Sequence, residues 1–136
     1  MTIKSRNILG WILAGLLCLL LLASAADKIS GSAHSLQMGR SFGLSPETYR
    51  LLGFIEAASV LLFLWPRTGV LGTLLLSSYL GGAIATHLQH QQGILFPAGL
   101  EALVWLTAAI RFPELTHRLL GQRPAVGNAP AASSES

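Results

Sequence analysis

Residues 8–26 read ILGWILAGLLCLLLLASAA, a run without a single Asp, Glu, Lys or Arg. A helix needs about 20 mostly apolar residues to cross the hydrocarbon core of a bilayer, and this stretch has that length. Three more apolar segments follow it. Residues 49–65 hold Glu56 inside and Arg50 at one end, residues 69–86 are uncharged, and residues 95–110 carry Glu101. Backbone groups in lipid must pair within their own segment, so these are helices, not strands. The expectation is an all-α, integral membrane four-helix up-down bundle over residues 1–120. The small, polar, Pro-containing stretch 121–136 is expected to be a disordered tail.

Composition agrees with that expectation. Charged residues make up 11% of the 136-residue chain, against about 25% in soluble domains, and the mean hydropathy is +0.56. Such a shortage of charge excludes general disorder and argues against a water-soluble domain. The single cysteine, Cys18, excludes a disulfide framework, a Cys-based zinc site and a CxxC redox motif; mid-span, it reads as packing. The basic residues are scattered between apolar runs, which speaks against nucleic-acid binding.

The connections suit antiparallel neighbours. Pro66-Arg67-Thr68 is a tight turn that stops the second span, and residues 87–94, with Gly93 as a turn residue, join the third to the fourth. The first connection is longer. Residues 33–42 form a short amphipathic turn on the membrane surface, ended by Gly43. Ser45-Pro46-Glu47 then supplies an N-cap, a first-turn proline and an acid suited to the helix dipole. Lys4, Arg6, Arg67, Arg111, Arg118 and Arg123 fall on one side, and Lys28, Arg40 and Arg50 on the other. The positive-inside rule then places both termini in the cytoplasm of a bacterial inner membrane. A rival reading takes Lys4, Arg6, the apolar run and Ala23-Ser24-Ala25-Ala26 as a cleaved signal peptide. The apolar run is long for a signal core and no soluble domain follows it, so the first span is expected to stay.

Ionisable groups inside a span are costly and turn toward protein. Glu56 lies about 10 Å down the second span at 1.5 Å per residue, sharing a face with Gly53 and Ser59. Its two readings are a neutral acid that ties helices together and a group that serves proton transfer or ligand binding. With both termini inside, Asp27, Lys28, Glu56, Tyr79, His87 and Glu101 all fall in the outer half, which predicts a polar pocket opening outward. The other reading leaves Asp27, Lys28 and His87 as markers of span ends. His87 and His90, at i and i+3, do not by themselves supply a metal site, and none is expected.

The third span carries a ladder of small residues, Gly69, Thr73, Ser77, Gly81 and Ala85, with Ser78, Gly82 and Thr86 beside it. Such faces let helix backbones approach closely, so the ladder is expected to pack helices. Gly81-Gly82 admitting a flat ligand is the other reading. Trp11, Trp65 and Trp105 fit interface or packing roles. The second and fourth spans also echo each other, GFIEA against GLEA, a faint sign of a duplicated two-helix unit.

The stretches Gly53-Phe54-Ile55-Glu56, PRTGVLG at 66–72 and YLGGAIATH at 79–87 resemble the DoxX-like family of small four-helix bacterial membrane proteins. So do Leu95-Phe96-Pro97, Trp105 and RFPEL at 111–115, and the resemblance covers roughly residues 8–116. It implies a four-helix membrane bundle that keeps its first span, with Lys28 matching a basic residue at the end of that span. Glu101 departs from the family pattern, where the position is small or apolar. The resemblance also implies a subunit or quinone-interacting component of a membrane redox complex. A non-catalytic membrane adaptor or assembly factor and a small-molecule transporter component are the alternatives. Homo-oligomers or other membrane proteins are the partners expected beside the lipid. Nucleophile–base pairs, phosphate loops and dinucleotide fingerprints are missing from the sequence, so no enzyme activity of its own is expected.

Overall fold

A computed structural model describes residues 2–122, which fold into six helices and no strand. These are α1 (Ile3–Ser30), α2 (Ala33–Ser41), α3 (Pro46–Leu64), α4 (Gly69–Gln89), α5 (Leu95–Arg111) and α6 (Pro113–Leu119). Apart from Gly121 and Gln122, the expected tail lies outside the described residues.

The first apolar run grows at both ends into a 28-residue helix. The Thr2 hydroxyl accepts from the Ser5 N–H at 3.2 Å and starts α1, and Gly31 at φ 66° stops it. Asp27 and Lys28 therefore sit on the last helical turns, with their side chains fixed in direction. The amphipathic turn expected at 33–42 is a real helix, capped by Ser32. Ser45 caps α3 as its sequence indicates, accepting from the Thr48 N–H at 3.2 Å, and Pro46 occupies the first helical position. The α4–α5 connection shortens because α4 continues to Gln89. Its left-handed residue is Gln91 at φ 54°, not Gly93. At Pro113, which lacks an N–H to continue the helix, the chain bends by 108° into α6.

Two helices, α1 and α4, are long and apolar enough to cross a membrane, and three if α5 and α6 form one bent span. Helix α3 carries Glu47, Arg50 and Glu56, and α5 alone has 17 residues. Helix α1 packs against α3 and α5, and α4 against the same two. Leu17, Cys18 and Leu21 of α1 meet Val60 and Phe63 of α3, Leu76 and Leu80 of α4, and Val104 and Ala108 of α5 in one core. Outside that core the helices present Leu16, Leu19, Leu20, Phe54, Leu61, Leu71 and Leu74 outward. A continuous apolar exterior of that kind is unfavourable in water and suits lipid.

The close approaches are at the end of the molecule that holds the α3–α4 turn. A Cβ on Gly72 would stand 2.1 Å from the Phe63 nitrogen, and one on Gly69 2.0 Å from the Phe112 ring. Thr73 is fully buried. The upper part of the small-residue ladder behaves otherwise: Gly81, Gly82 and Ala85 are exposed, and a Cβ on either glycine would meet nothing within 4 Å. Packing within the chain thus uses Gly69, Gly72 and Thr73, whereas Gly81, Gly82 and Ala85 stay exposed. Periodicity identifies a small face without saying whether a neighbouring helix covers it.

Arg111 closes the same end. Its guanidinium donates to the Phe63 and Leu64 carbonyls at 2.8 and 2.9 Å, satisfying acceptors left free at the end of α3. It also lies 4.8 Å from the centroids of the Trp11 and Phe112 rings. Gly10 makes room for its stem, since a Cβ there would come within 2.9 Å of the Arg111 Cγ.

Candidate functional site

At the opposite end, α1 finishes where α3 begins, and Gly53 decides how closely they meet. A Cβ at Gly53 would lie 2.8 Å from the Lys28 Cβ and 3.0 Å from the Ala25 carbonyl oxygen. One turn further along α3, Glu56 is thereby brought against α1 and is 2% exposed. A carboxylate at that burial needs a compensating charge or several donors, and it has both. One oxygen, Oε2, accepts from Lys28 Nζ at 2.8 Å, from the Tyr79 hydroxyl at 3.2 Å and from the Ser24 hydroxyl at 3.4 Å. Lys28 Nζ also donates to Ser24 Oγ at 2.5 Å and stands 5.7 Å from the centroid of the Tyr49 ring. Helices α1, α3 and α4 are joined through this one carboxylate.

The cluster lines a cavity of about 660 Å³, within the range of about 300–1,000 Å³ common for small-molecule sites. Its walls are mainly apolar, with Leu21, Leu52, Ile55, Leu75 and Leu100 among them; one polar cluster surrounds Glu56, and Asp27, His34 and His87 line another part. Helix α2 covers one end with His34, Met38 and Phe42. The Phe42 ring lies 4.9 Å from the His87 ring and 5.8 Å from that of His90. Asp27 accepts from the Ser32 hydroxyl and pairs with His34 Nδ1 at 3.0 Å, which ties α2 to the end of α1.

Five of the six residues expected to share a pocket, Asp27, Lys28, Glu56, Tyr79 and His87, line this cavity. Glu101 does not. It lies between α4 and α5, where its Oε1 accepts from Ser77 Oγ at 2.5 Å and from Trp105 Nε1 at 2.9 Å. Its other oxygen is buried without a hydrogen-bond partner. His87 and His90 each donate from Nδ1 to a carbonyl of their own helix, at Ala83 and Thr86. Three contributors escaped the sequence reading. Ser24 is signalled by its i, i+4 spacing to Lys28, whereas Tyr49 and the cover residue Met38 have no local signal.

The buried charges around Glu56 cancel, because Lys28 answers Glu56, while Asp27 is held by hydrogen bonds to Ser32 and His34. An apolar chamber with one charge-neutral, hydrogen-bonding end suits a neutral molecule that is mostly apolar and carries a small polar head. Fold and site together define an all-helical membrane protein with an internal cavity.

The model of the DoxX-like family matches residues 12–108, and the chain belongs to that family. No curated protein and no solved structure matches the chain.

Proposed function

We propose that α1, α3, α4 and α5 form a four-helix up-down bundle in the bacterial inner membrane, with both termini cytoplasmic. On this reading the protein is a quinone-interacting component of a membrane redox assembly, not an enzyme by itself. The observation that carries the reading is the cavity of about 660 Å³ with the polar cluster of Lys28, Glu56 and Tyr79 on its wall. A quinone has a flat head with two carbonyl acceptors and an apolar chain. Lys28 has three ammonium protons, of which Glu56 and Ser24 engage two, leaving one for a ligand carbonyl. Apolar walls suit the rest of such a molecule. The positive charge of Lys4, Arg6, Arg67, Arg111 and Arg118 on one side supports the orientation.

Titration of the purified protein in mild detergent with decylubiquinone, followed by calorimetry, tests the reading. Saturable one-site binding that Lys28→Met weakens by about tenfold, or ~1.4 kcal/mol, is expected. Binding that never saturates, or that Lys28→Met leaves untouched, refutes it.

A membrane adaptor or assembly factor is the second reading, favoured by the exposed Ser78, Gly81 and Ala85 face of α4, which offers a close-packing surface to a helix of another copy or another protein. Gly81→Leu would then abolish co-purification of a partner while Glu56→Gln leaves it intact.

A further inference from the structure

The cavity has an opening that its polar end does not explain. Near the Pro66 turn α3 and α4 touch backbone to backbone, at Phe63 and Gly72. Toward the other end of the pair Gly81 and Gly82 face open space. There Ile55 of α3 and Leu75, Ser78 and Gly82 of α4 line the cavity and are exposed on the outer face of the molecule at the same time. Ile55 keeps 44% and Leu75 40% of its surface free. Ser78 and Gly82, one turn apart, put almost no side-chain bulk between the cavity and the outside. The exterior on either side is apolar, with Leu51, Phe54, Leu71 and Leu74 exposed.

We propose that this α3–α4 seam is the entrance and chain-binding subsite for a membrane-dissolved ligand. The ligand is a neutral amphiphile with a carbonyl-bearing head at Lys28 and Tyr79, and a hydrocarbon chain that leaves through the seam into lipid. The proposal rests on the quinone reading and adds to it the route and the position of the chain. The other end of the cavity is unsuited to the chain. Phe42 packs on His87 and His90 there, and the Asp27–His34 pair is polar, so every methylene leaving that way would enter a polar, hydrated rim at a loss. Through the seam the chain passes from apolar wall to apolar lipid. The small residues at 78 and 82 acquire a role that helix packing within the chain does not give them.

A ubiquinone analogue carrying a diazirine near the end of a decyl chain tests the assignment. It is irradiated with the wild-type protein in phosphatidylcholine nanodiscs, and only labelling that unlabelled decylubiquinone displaces is scored. Labels are expected on α3 between residues 52 and 59 and on α4 between residues 75 and 82. Gly82→Leu, whose side chain enters open space, should lower displaceable labelling by about tenfold, ~1.4 kcal/mol in affinity. Displaceable labels on α1 or α2, or full labelling of Gly82→Leu, overturn the seam while leaving the quinone reading standing. No displaceable labelling of the wild type at any site overturns both.

Discussion

Removing the ammonium group of Lys28 is the sharpest perturbation this structure offers. Lys28→Met keeps an unbranched stem without the ammonium group and leaves Glu56, 2% exposed, with its charge unanswered. Breaking a buried ion pair from one side costs about 3–5 kcal/mol. The Tyr79 and Ser24 hydroxyls stay within 3.2 and 3.4 Å of the carboxylate, so the lower end applies, about 3 kcal/mol. Glu56→Gln should be milder. The amide oxygen still accepts from Tyr79, and Lys28, whose side chain is 12% exposed, can carry its charge along an apolar stem toward the cavity mouth. About 1–2 kcal/mol is expected there, the cost of weakened hydrogen bonds to a charged group. The two changes together remove both charges, so the double variant should be about 2 kcal/mol more stable than Lys28→Met alone, as groups in one contact network are not additive. Equilibrium unfolding by SDS titration in mixed micelles, read by far-UV circular dichroism, measures all three. Equal losses in the single variants, with a double variant at their sum to within about 0.5 kcal/mol, would falsify the view that the pair is buried and coupled.

Four shorter predictions share that assay or a simple companion to it. Gly72→Ala drives a methyl into the Phe63 backbone and should cost about 2–3 kcal/mol, the range of overpacking; Gly81→Ala meets nothing and should change stability by no more than a gain of about 1 kcal/mol. Equal responses at the two glycines would contradict the packing described. Arg111→Met deprives the Phe63 and Leu64 carbonyls of their donor, so a loss of about 2–3 kcal/mol and a shifted Trp11 emission are expected; an unchanged melting temperature counts against the cap. Tyr79→Phe deletes the 3.2 Å bond to Glu56 and should cost about 1 kcal/mol, less than Lys28→Met. For topology, a fluorescent protein fused behind Gln122 should fluoresce and alkaline phosphatase fused there should be inactive, and the opposite pair of results reverses the orientation.

Legibility in the sequence followed the range of the forces involved. The cap at Ser45 and the stop at Pro66 rest on residues within one helical turn and are readable from spacing alone, whereas the cap at Ser32 and the bend at Pro113 come from the structure. The short amphipathic helix between the first two apolar runs is readable as well. The place of Glu56 along its helix is readable too, because rise per residue is constant along a helix. Rotation between helices is not. Whether Gly69 or Gly81 touches a neighbour depends on how α4 leaves the Pro66 turn, and both belong to the same small face. Arg111 looked like a topological charge because the acceptors it serves, the Phe63 and Leu64 carbonyls, lie far away in the chain and carry no side-chain signature.

The two acids show how far place along a helix alone can mislead. Glu56 and Glu101 lie in α3 and α5, each follows a glycine by a turn or less, and both were expected to face one pocket. Their surroundings differ in kind. Glu56 meets a cation because Gly53 lets α1 come close enough for Lys28 to reach it. On α5 Glu101 faces α4, and among the described residues it is served by the Ser77 hydroxyl and the Trp105 indole without a cation. A charge pair positions a polar end for a cavity, whereas a carboxyl held by a hydroxyl and an indole at a helix seam fastens α4 to α5. Glu101→Gln, which keeps an oxygen for both donors, should therefore leave decylubiquinone affinity within about twofold of the wild type, ~0.4 kcal/mol. A tenfold loss would place Glu101 in the binding site after all.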